Sequence, residues 1–373
     1  MGSSEQHPLV IIGGGPAGMA LGYELSRRGL AFPILERADA PGDSWRRMPR
    51  DMPMNSPIGV SCMPGTRLGF REWARVWSRQ RFYEHLLEFA ANQDFDLRCN
   101  TAVTRIDKLD GGRFRIDCGE TVFESDVVVN ATGYFGRPFV PERQGADESS
   151  ILQITVPEYI EPETLSGRIR GNGRRVLIVG KRITAGQIAV ELHAAGFEVV
   201  ISHRTPMEFG FDPRTQRLAF RIYYPYEKLR LRTASFARRD SGHPMQGGPA
   251  RRLIETGSIQ TRPDIAAFEA DRIRFADGSI EAFDALIWAT GYRPVLDHLS
   301  GLVSIDSTTG LPPLEQMESA ETSGLYFLGL DQETDFTSRM LRGICRDAEF
   351  LAARLAPALS SQSAGQLKSS ISK

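Results

Sequence analysis

The stretch that decides the fold is PLVIIGGGPAGMA, Pro8 to Ala20. Pro8 to Ile12 is a short apolar run of the kind that forms a buried parallel strand, and it leads directly into Gly13-x-Gly15-x-x-Gly18. Each glycine has its own task. Gly13 allows the tight turn, Gly15 lets a diphosphate approach bare backbone, and Gly18 lets the following helix lie close on the strand. From Pro16 the pattern turns helical, with Met19, Leu21, Tyr23 and Leu25 toward the inner side and Gly29 placed to end it. A second apolar run, Phe32 to Leu35, delivers Glu36 eighteen residues after Gly18. A carboxylate there accepts both hydroxyls of an adenosine ribose and repels a ribose that carries a 2′-phosphate. A glycine-rich turn alone is weak; strand, turn, helix, strand and acid in register read as a dinucleotide grip.

A second unit of the same design starts at RRVLIVGKRITAGQIA, Arg174 to Ala189. Gly13 to Arg37 and Gly180 to Arg204 both span 24 positions, so His203 falls opposite Glu36. An imidazole beside a guanidinium, in place of a carboxylate, suits a 2′-phosphate, and the second unit therefore reads as an NADPH site. It is an imperfect copy. Arg182 stands where the first unit has Gly15, and Ala185 where it has Gly18. Ala185 still permits close packing. Arg182 either swings out to contact phosphate or costs affinity, and a structural relic is the plainer alternative.

The chain of 373 residues has room for two or three domains. No apolar stretch approaches 18 residues, so no membrane span is expected. The start MGSSEQHP lacks a signal-peptide pattern. Cys62, Cys99, Cys118 and Cys345 are widely spaced with no C-x-x-C pair. That argues against a flavin disulfide reductase and fits a reducing, cytoplasmic setting. No His/Cys cluster has metal spacing, and a net charge of −1 gives no global pull toward nucleic acid or an anionic membrane.

Charge is uneven, however. From Arg204 to Arg252 eleven Lys plus Arg face four acids, a local +7, among Phe209, Phe211, Phe220, Tyr223, Tyr224, Tyr226 and Phe236. This reads as a solvated insert whose aromatics pack on the body. The functional alternative is a lid or docking surface for an anionic partner: the NADPH phosphates, an acidic substrate or an acyl-carrier protein.

The phrase ATGY occurs twice, Ala131 to Tyr134 and Ala289 to Tyr292, each closing an apolar run. These are expected crossovers between domains, where Thr132 and Gly133 are small enough for backbone to lie near a cofactor. Residues 138–173, rich in Pro, Glu and Gly, read as a linker. Gly324 to Leu330 reads as a further strand, Thr337 to about Leu355 as a helix, and 357–373 as a disordered tail. His85 and His193 fall in predicted helices and read as packing or surface residues.

With these landmarks placed, the chain resembles the class B flavoprotein monooxygenases, the group of flavin-containing N- and S-oxygenases and Baeyer–Villiger enzymes, over nearly its whole length. The carriers are GGGPAG, Glu36, the GDSWR segment from Gly42 to Arg46, the unit from Gly180, both ATGY strands, GLYFLGL and LRGI. The resemblance implies an α/β fold of two Rossmann-like domains, with the NADPH domain inserted into the FAD domain. The FAD part covers 1–145 and returns over 294–356; the NADPH part covers 146–293 with the basic insert at 205–252. By the same resemblance Gly13, Gly15, Pro16, Ala17, Gly18, Glu36, Arg37 and Trp45 contact FAD, with Thr132 and Gly133 near it. Val103, on a strand after Asn100, touches the adenine end, and Asn55 lies near the flavin ring with a catalytic hydrogen bond to offer. A plain turn residue before Ser56-Pro57 is the other reading of Asn55. Gly180, Arg182, Thr184, Ala185, His203 and Arg204 hold NADPH.

One departure stands out. The family's Phe-x-Gly-x-x-x-His fingerprint is missing: Thr155 takes the histidine's place in ESSILQITVPEYIEP, with Tyr159 as a possible aromatic, and Val140 takes it after Tyr134-Phe135-Gly136, where the first half appears. The activity implied is NADPH- and O2-dependent transfer of one oxygen atom, from a C4a-peroxyflavin, to a nucleophilic nitrogen or sulfur (or carbon) of a small molecule. An oxidase or reductase with a degenerate nicotinamide site, a flavoenzyme fed by substrate electrons, and a non-catalytic FAD-binding redox sensor share the same residues.

Overall fold

The computed structural model describes residues 4–49, 52–210, 212, 215, 218–222, 224, 244–245, 247–331, 333–335 and 337–371. The chain opens with β1 (Glu5–Ile12), α1 (Pro16–Ser26), β2 (Pro33–Leu35), α2 (Asp43–Arg46), α3 (Phe70–Trp73), α4 (Arg79–Ala91) and β3 (Asp96–Arg98). The strands β4 (Arg105–Lys108), β5 (Phe114–Cys118) and β6 (Thr121–Asn130) follow. β1 is apolar on both faces because both are covered. Leu9 and Ile11 pack with α1, and Val10 and Ile12 pack on the other side with Ile106, Phe114 and Leu299.

Beyond β7 (Arg137–Pro138) come β8 (Leu152–Thr155), α5 (Pro162–Arg168), β9 (Arg175–Val179), α6 (Ile183–Ala194), β10 (Glu198–Ser202), α7 (Pro249–Glu255) and β11 (Gln260–Arg262). An antiparallel meander of β12 (Ile265–Glu269), β13 (Arg272–Phe275) and β14 (Ile280–Ala282) precedes β15 (Ala285–Trp288). The chain then returns along β16 (Tyr292–Arg293), which pairs antiparallel with β7. It re-enters the first sheet through β17 (Leu314–Glu315), β18 (Glu318–Ser319) and β19 (Leu325–Phe327), and ends in α8 (Leu341–Ile371).

The two halves repeat one topology. The first has the parallel order β3-β2-β1-β6-β19, and the second β11-β10-β9-β15-β8. Strand ends align in the same way: Ile12 pairs with Leu35 and Asn130, and Val179 with Ser202 and Trp288. Just past them the Gly13 N–H donates to Leu35 O at 2.8 Å and the Gly180 N–H to Ser202 O at 3.0 Å. Both glycines have positive φ, +109° and +152°, and a Cβ on either would collide with the carbonyl of Ala131 or Ala289. The 24-residue register counted along the sequence is thus the register of the sheets.

Three expectations are corrected. Residues 138–173 are more than a linker: β8 is the edge strand of the second sheet, and its four residues were masked by flanking Pro, Glu and Gly. The expected disordered tail is helical over most of its length, because α8 continues through Pro357 to Ile371. Its Ala, Leu, Gln and Lys residues favour helix, and proline removes only one backbone hydrogen bond. Val103 lies in the irregular segment before β4 rather than on a strand. Within the basic insert, Phe211, Tyr223, Tyr226, Lys228 and Phe236 lie outside the described residues. Among the described residues no helix is long and apolar enough to cross a membrane, and no His/Cys/Asp/Glu group could hold a metal.

Candidate active site

A cavity of about 890 Å³ takes its walls from both halves of the molecule. At one end is the first glycine turn. Gly15 is the N-cap of α1, with no side-chain cap and no acid in the first turn, so the helix's opening N–H groups and positive dipole end are available to an anion. A Cβ on Gly15 would meet no atom within 4 Å, whereas one on Gly18 would strike the Gly13 carbonyl. Gly15 therefore borders open space, and Gly18 seats α1 on the turn behind it. These are the features that a bound FAD diphosphate requires.

Glu36 is buried at the lip of this turn. Its Oε2 accepts the Gly14 N–H at 2.7 Å and its Oε1 the Ala38 N–H at 2.9 Å. Those bonds fix the carboxylate and leave each oxygen a further lone pair for a ribose hydroxyl. Gly13, Pro16, Ala17, Arg37, Trp45, Val103, Thr132 and Gly133 line the same cavity. Trp45 is fixed by Phe82, with ring centroids 4.4 Å apart. Asp43, also in the wall, is tied to Arg46 at 2.6 Å and to Arg47 at 2.5 Å. Asn55 faces the cavity at the junction of the halves, where Gln187 Nε2 of α6 donates to Pro53 O at 3.0 Å and to Asn55 Oδ1 at 3.4 Å.

The second turn contributes less. Of its expected residues Thr184 lines the cavity, whereas Gly180, Arg182, Ala185, His203 and Arg204 do not. Arg182 is the N-cap of α6, at φ −106° and ψ −172°, close to the −81° and −174° of Gly15. An arginine adopts that extended backbone without strain, and its side chain is exposed. Ala185 is buried beneath it. The His203 N–H donates to Arg262 O at 3.1 Å, as the Glu36 N–H does to Arg98 O at 2.9 Å, so the two residues occupy equivalent places. His203 Nδ1 donates to Thr205 O at 3.1 Å, which leaves Nε2 for a ligand. Thr155, in the place of the absent fingerprint histidine, lines the cavity.

Sequence reasoning missed several wall residues. His298 is buried with Nε2 2.9 Å from Asn130 Oδ1. Burial pushes its imidazole down to about 4, and burial pushes the Tyr292 phenol up to about 12, so both stand uncharged at neutral pH. Tyr134, Phe135 and Tyr292 form an edge-to-face row, 5.6 and 5.2 Å between centroids, across the crossover between halves. Arg79, Arg339 and Arg342 complete the wall. No motif marks His298, Arg79 or Arg339, whereas Arg342 lies in the LRGI segment already noted without a role. A polar residue ending the apolar run DVVVN was the one signal for Asn130. His85 is a packing residue, buried in α4 against Trp77 and Phe82.

Comparison with known proteins gives the chain its relatives. A family model described as pyridine nucleotide-disulphide oxidoreductase matches residues 10–233, more than half of the chain. An uncharacterized CzcO-like oxidoreductase of Geobacillus kaustophilus (strain HTA426) is 27% identical, over 92% of this chain and 96% of its own length. The indole-3-pyruvate monooxygenase YUCCA4 of Oryza sativa subsp. japonica is 26% identical, over 91% of this chain and 85% of its own. The solved flavin-containing monooxygenase from Stenotrophomonas maltophilia superposes with a TM-score of 0.78 at 24% identity, over 95% of this chain and 99% of that one, and so shares the fold. None of the four cysteines forms a disulfide. By its matched nucleotide units, and without a C-x-x-C pair, this chain belongs to the pyridine nucleotide-disulphide oxidoreductase family.

Proposed function

We propose that the chain is an FAD- and NADPH-dependent monooxygenase that transfers one oxygen atom to a nucleophilic nitrogen or sulfur, or carbon, of a small molecule. One observation carries this reading: a single cavity is bordered by Gly15 and Glu36 of the first half and by Thr184 and Gln187 of the second. Hydride transfer needs the two cofactors in contact, and a shared chamber supplies that proximity. FAD held there would supply the redox and oxygen chemistry, and NADPH the reducing equivalents; that chemistry belongs to the cofactors.

The chain's own groups bind, orient and keep the chamber dry. The open N–H groups of α1 receive the FAD diphosphate, Glu36 its ribose, and Trp45 packs beside it. His203 and Arg204 receive the 2′-phosphate of NADPH, with Arg182 beside them at the head of α6. Asn55, steadied by Gln187, presents an amide at the junction. Met48, Met52, Met54, Leu341 and Ile344 supply apolar wall that excludes water. Relatives named for oxygenation, including the senecionine N-oxygenase of Tyria jacobaeae at 22% identity, support the assignment.

The test is anaerobic addition of NADPH to the FAD-loaded protein, followed by air and a panel of amines and sulfides. Loss of the yellow absorbance, then one oxygenated product per NADPH consumed, is the expected course. Hydrogen peroxide with no oxygenated product would reassign the chain as an oxidase. A flavin that stays yellow would reassign it as an enzyme reduced by its substrate.

A further inference from the structure

Among the described residues, the three most exposed large apolar side chains fall on two adjoining segments. They are Phe70 of α3, 78% exposed, and Leu218 and Ile222 of the insert, 61% and 71% exposed. The insert is helical over 218–222, so Leu218 and Ile222, four positions apart, share one helix face. Two contacts hold that helix against α3. The Arg221 guanidinium lies 4.5 Å from the centre of the Phe70 ring, and the Trp73 and Tyr224 ring centres are 6.5 Å apart. Phe220, between the two exposed residues in sequence, lines the cavity, so this face adjoins the cavity wall.

The face is also basic. Arg67, Arg71 and Arg75 are exposed on and beside α3, and Arg221 is exposed on the helix of the insert. The acids within 67–77 and 212–222 are Glu72 and Asp212, and both are engaged. Glu72 pairs with Arg75 at 3.3 Å and accepts the Trp77 indole N–H, and Asp212 accepts the Thr215 hydroxyl at 2.5 Å. A single exposed apolar residue is ordinary surface, whereas a cluster rimmed by charge marks an interaction site. Two copies of one basic face repel each other, which argues against self-association. The apolar groups protrude, moreover. A protein partner needs a pocket shaped for each of them, but fluid acyl chains close around any protruding apolar group, and arginines beside them meet lipid phosphates.

We propose that this face docks on an anionic membrane surface, with Phe70, Leu218 and Ile222 entering the acyl boundary while Arg67, Arg71 and Arg221 meet headgroup phosphates. The attachment is peripheral and reversible, and it requires no helix that crosses the bilayer. The local charge decides it, although the chain as a whole carries only −1. The cavity, with Phe220 in its wall, then stands at the lipid surface, where apolar small molecules collect.

The probes are sedimentable vesicles of phosphatidylcholine alone, or of phosphatidylcholine with about one third phosphatidylglycerol. The FAD-loaded full chain is mixed with each, and the bound fraction is read from protein in the pellet. Affinity for the anionic vesicles is expected to exceed that for the neutral ones by about tenfold or more, and to fall steeply in high salt. Phe70→Ser, and Leu218→Ser together with Ile222→Ser, should each weaken binding to the anionic vesicles by about tenfold. Arg71→Glu should weaken it by about fivefold or more. Retained FAD and an unchanged thermal melt show that a variant is folded, and the comparison of lipids and salt on the native protein needs no variant.

Absence of binding to the anionic vesicles overturns the proposal, as does equal binding to both lipids or binding that survives every substitution. Two further outcomes overturn it by naming another occupant. Without vesicle binding, a dimer that Ile222→Ser dissolves assigns the face to a second copy of the chain. Capture of a purified acyl-carrier protein, again without vesicle binding, assigns it to an acidic protein. Vesicle binding is measured without NADPH, so a failed oxygenase reading leaves it untouched.

Discussion

His298 and Asn130 meet inside the protein, imidazole Nε2 2.9 Å from amide Oδ1, one residue from the segment that returns to the first sheet and the other from the end of β6. Asn130 also shares a hydrogen bond with Thr132 at 3.2 Å, so the pair steadies the first crossover beside the cavity. A buried histidine held to a neutral amide gains nothing from a charge, and the site resists protonation.

That resistance sets a pH dependence. Burial pushes His298 down to about 4, and Asp297 pulls the other way without cancelling it. Between that value and the ordinary 6.5 the unfolded chain binds the proton and the folded one does not. Stability from this group is complete above about 6.5 and is lost as pH falls toward about 4. His298→Gln keeps a donor for Asn130 and cannot titrate. Urea unfolding should show the native protein losing about 2 kcal/mol more than the variant between pH of about 7.5 and about 5. Parallel curves for the two would refute the assignment.

The two inner glycines of the first turn should fail in different ways. A Cβ on Gly15 meets no protein atom within 4 Å, so Gly15→Val should keep the fold of the FAD-free chain and lose FAD. A Cβ on Gly18 strikes the Gly13 carbonyl and displaces α1, which should cost about 1–3 kcal/mol of stability even without FAD. Thermal melts of the FAD-stripped proteins, with a flavin titration, separate the two. A destabilised Gly15→Val would mean that Gly15 serves packing after all.

Much of this was legible in the chain. The register that puts His203 opposite Glu36 needs only counting, since strand, turn and helix lengths are fixed by the glycines, and β10 ends one residue before His203 as β2 ends one before Glu36. What was not legible depends on distance along the chain. His298 reaches Asn130 across 168 residues, and Arg339 finds Tyr134 only after the return through β19. No local pattern encodes such meetings. β8 escaped because four residues beside Pro, Glu and Gly carry too little period to declare a strand, and only its pairing with β15 makes it one.

Arg204 offers a test of cofactor choice. It directly follows His203, whose place in the first half is held by a carboxylate that suits an unphosphorylated ribose. Arg204→Ala should raise the KM for NADPH by about tenfold to a hundredfold, the worth of a charge-assisted hydrogen bond, and the KM for NADH by about threefold or less. Equal losses would show that no 2′-phosphate is read there. Arg182→Gly, which restores the bare turn, should weaken NADPH if the arginine reaches phosphate and leave it unchanged or tighter if it does not.

Behind the cavity the arrangement hinges on Arg346. Its guanidinium lies 2.7 Å from Asp335 and 2.6 Å from Asp347, and the Asp347 side chain is 1% exposed. Burial raises Asp347, with Arg346 opposing; burial would also raise Asp335, yet hydrogen bonds from Arg346 and Thr337 outweigh it and hold that carboxyl low. Glu333 is buried beside them, raised by burial and then by Asp347, and accepts the N–H groups of Gly329 and Leu330 at 2.9 and 3.0 Å. Gly329 lines the cavity. Arg346→Met keeps an unbranched apolar stem without the guanidinium and strands the acids, which should cost about 3–5 kcal/mol. Because Asp347 can escape by taking a proton, the loss should be smaller at low pH than at neutral pH. Urea melts of native and variant protein at both values decide it, and a loss that stays constant with pH would place the damage in packing rather than in charge.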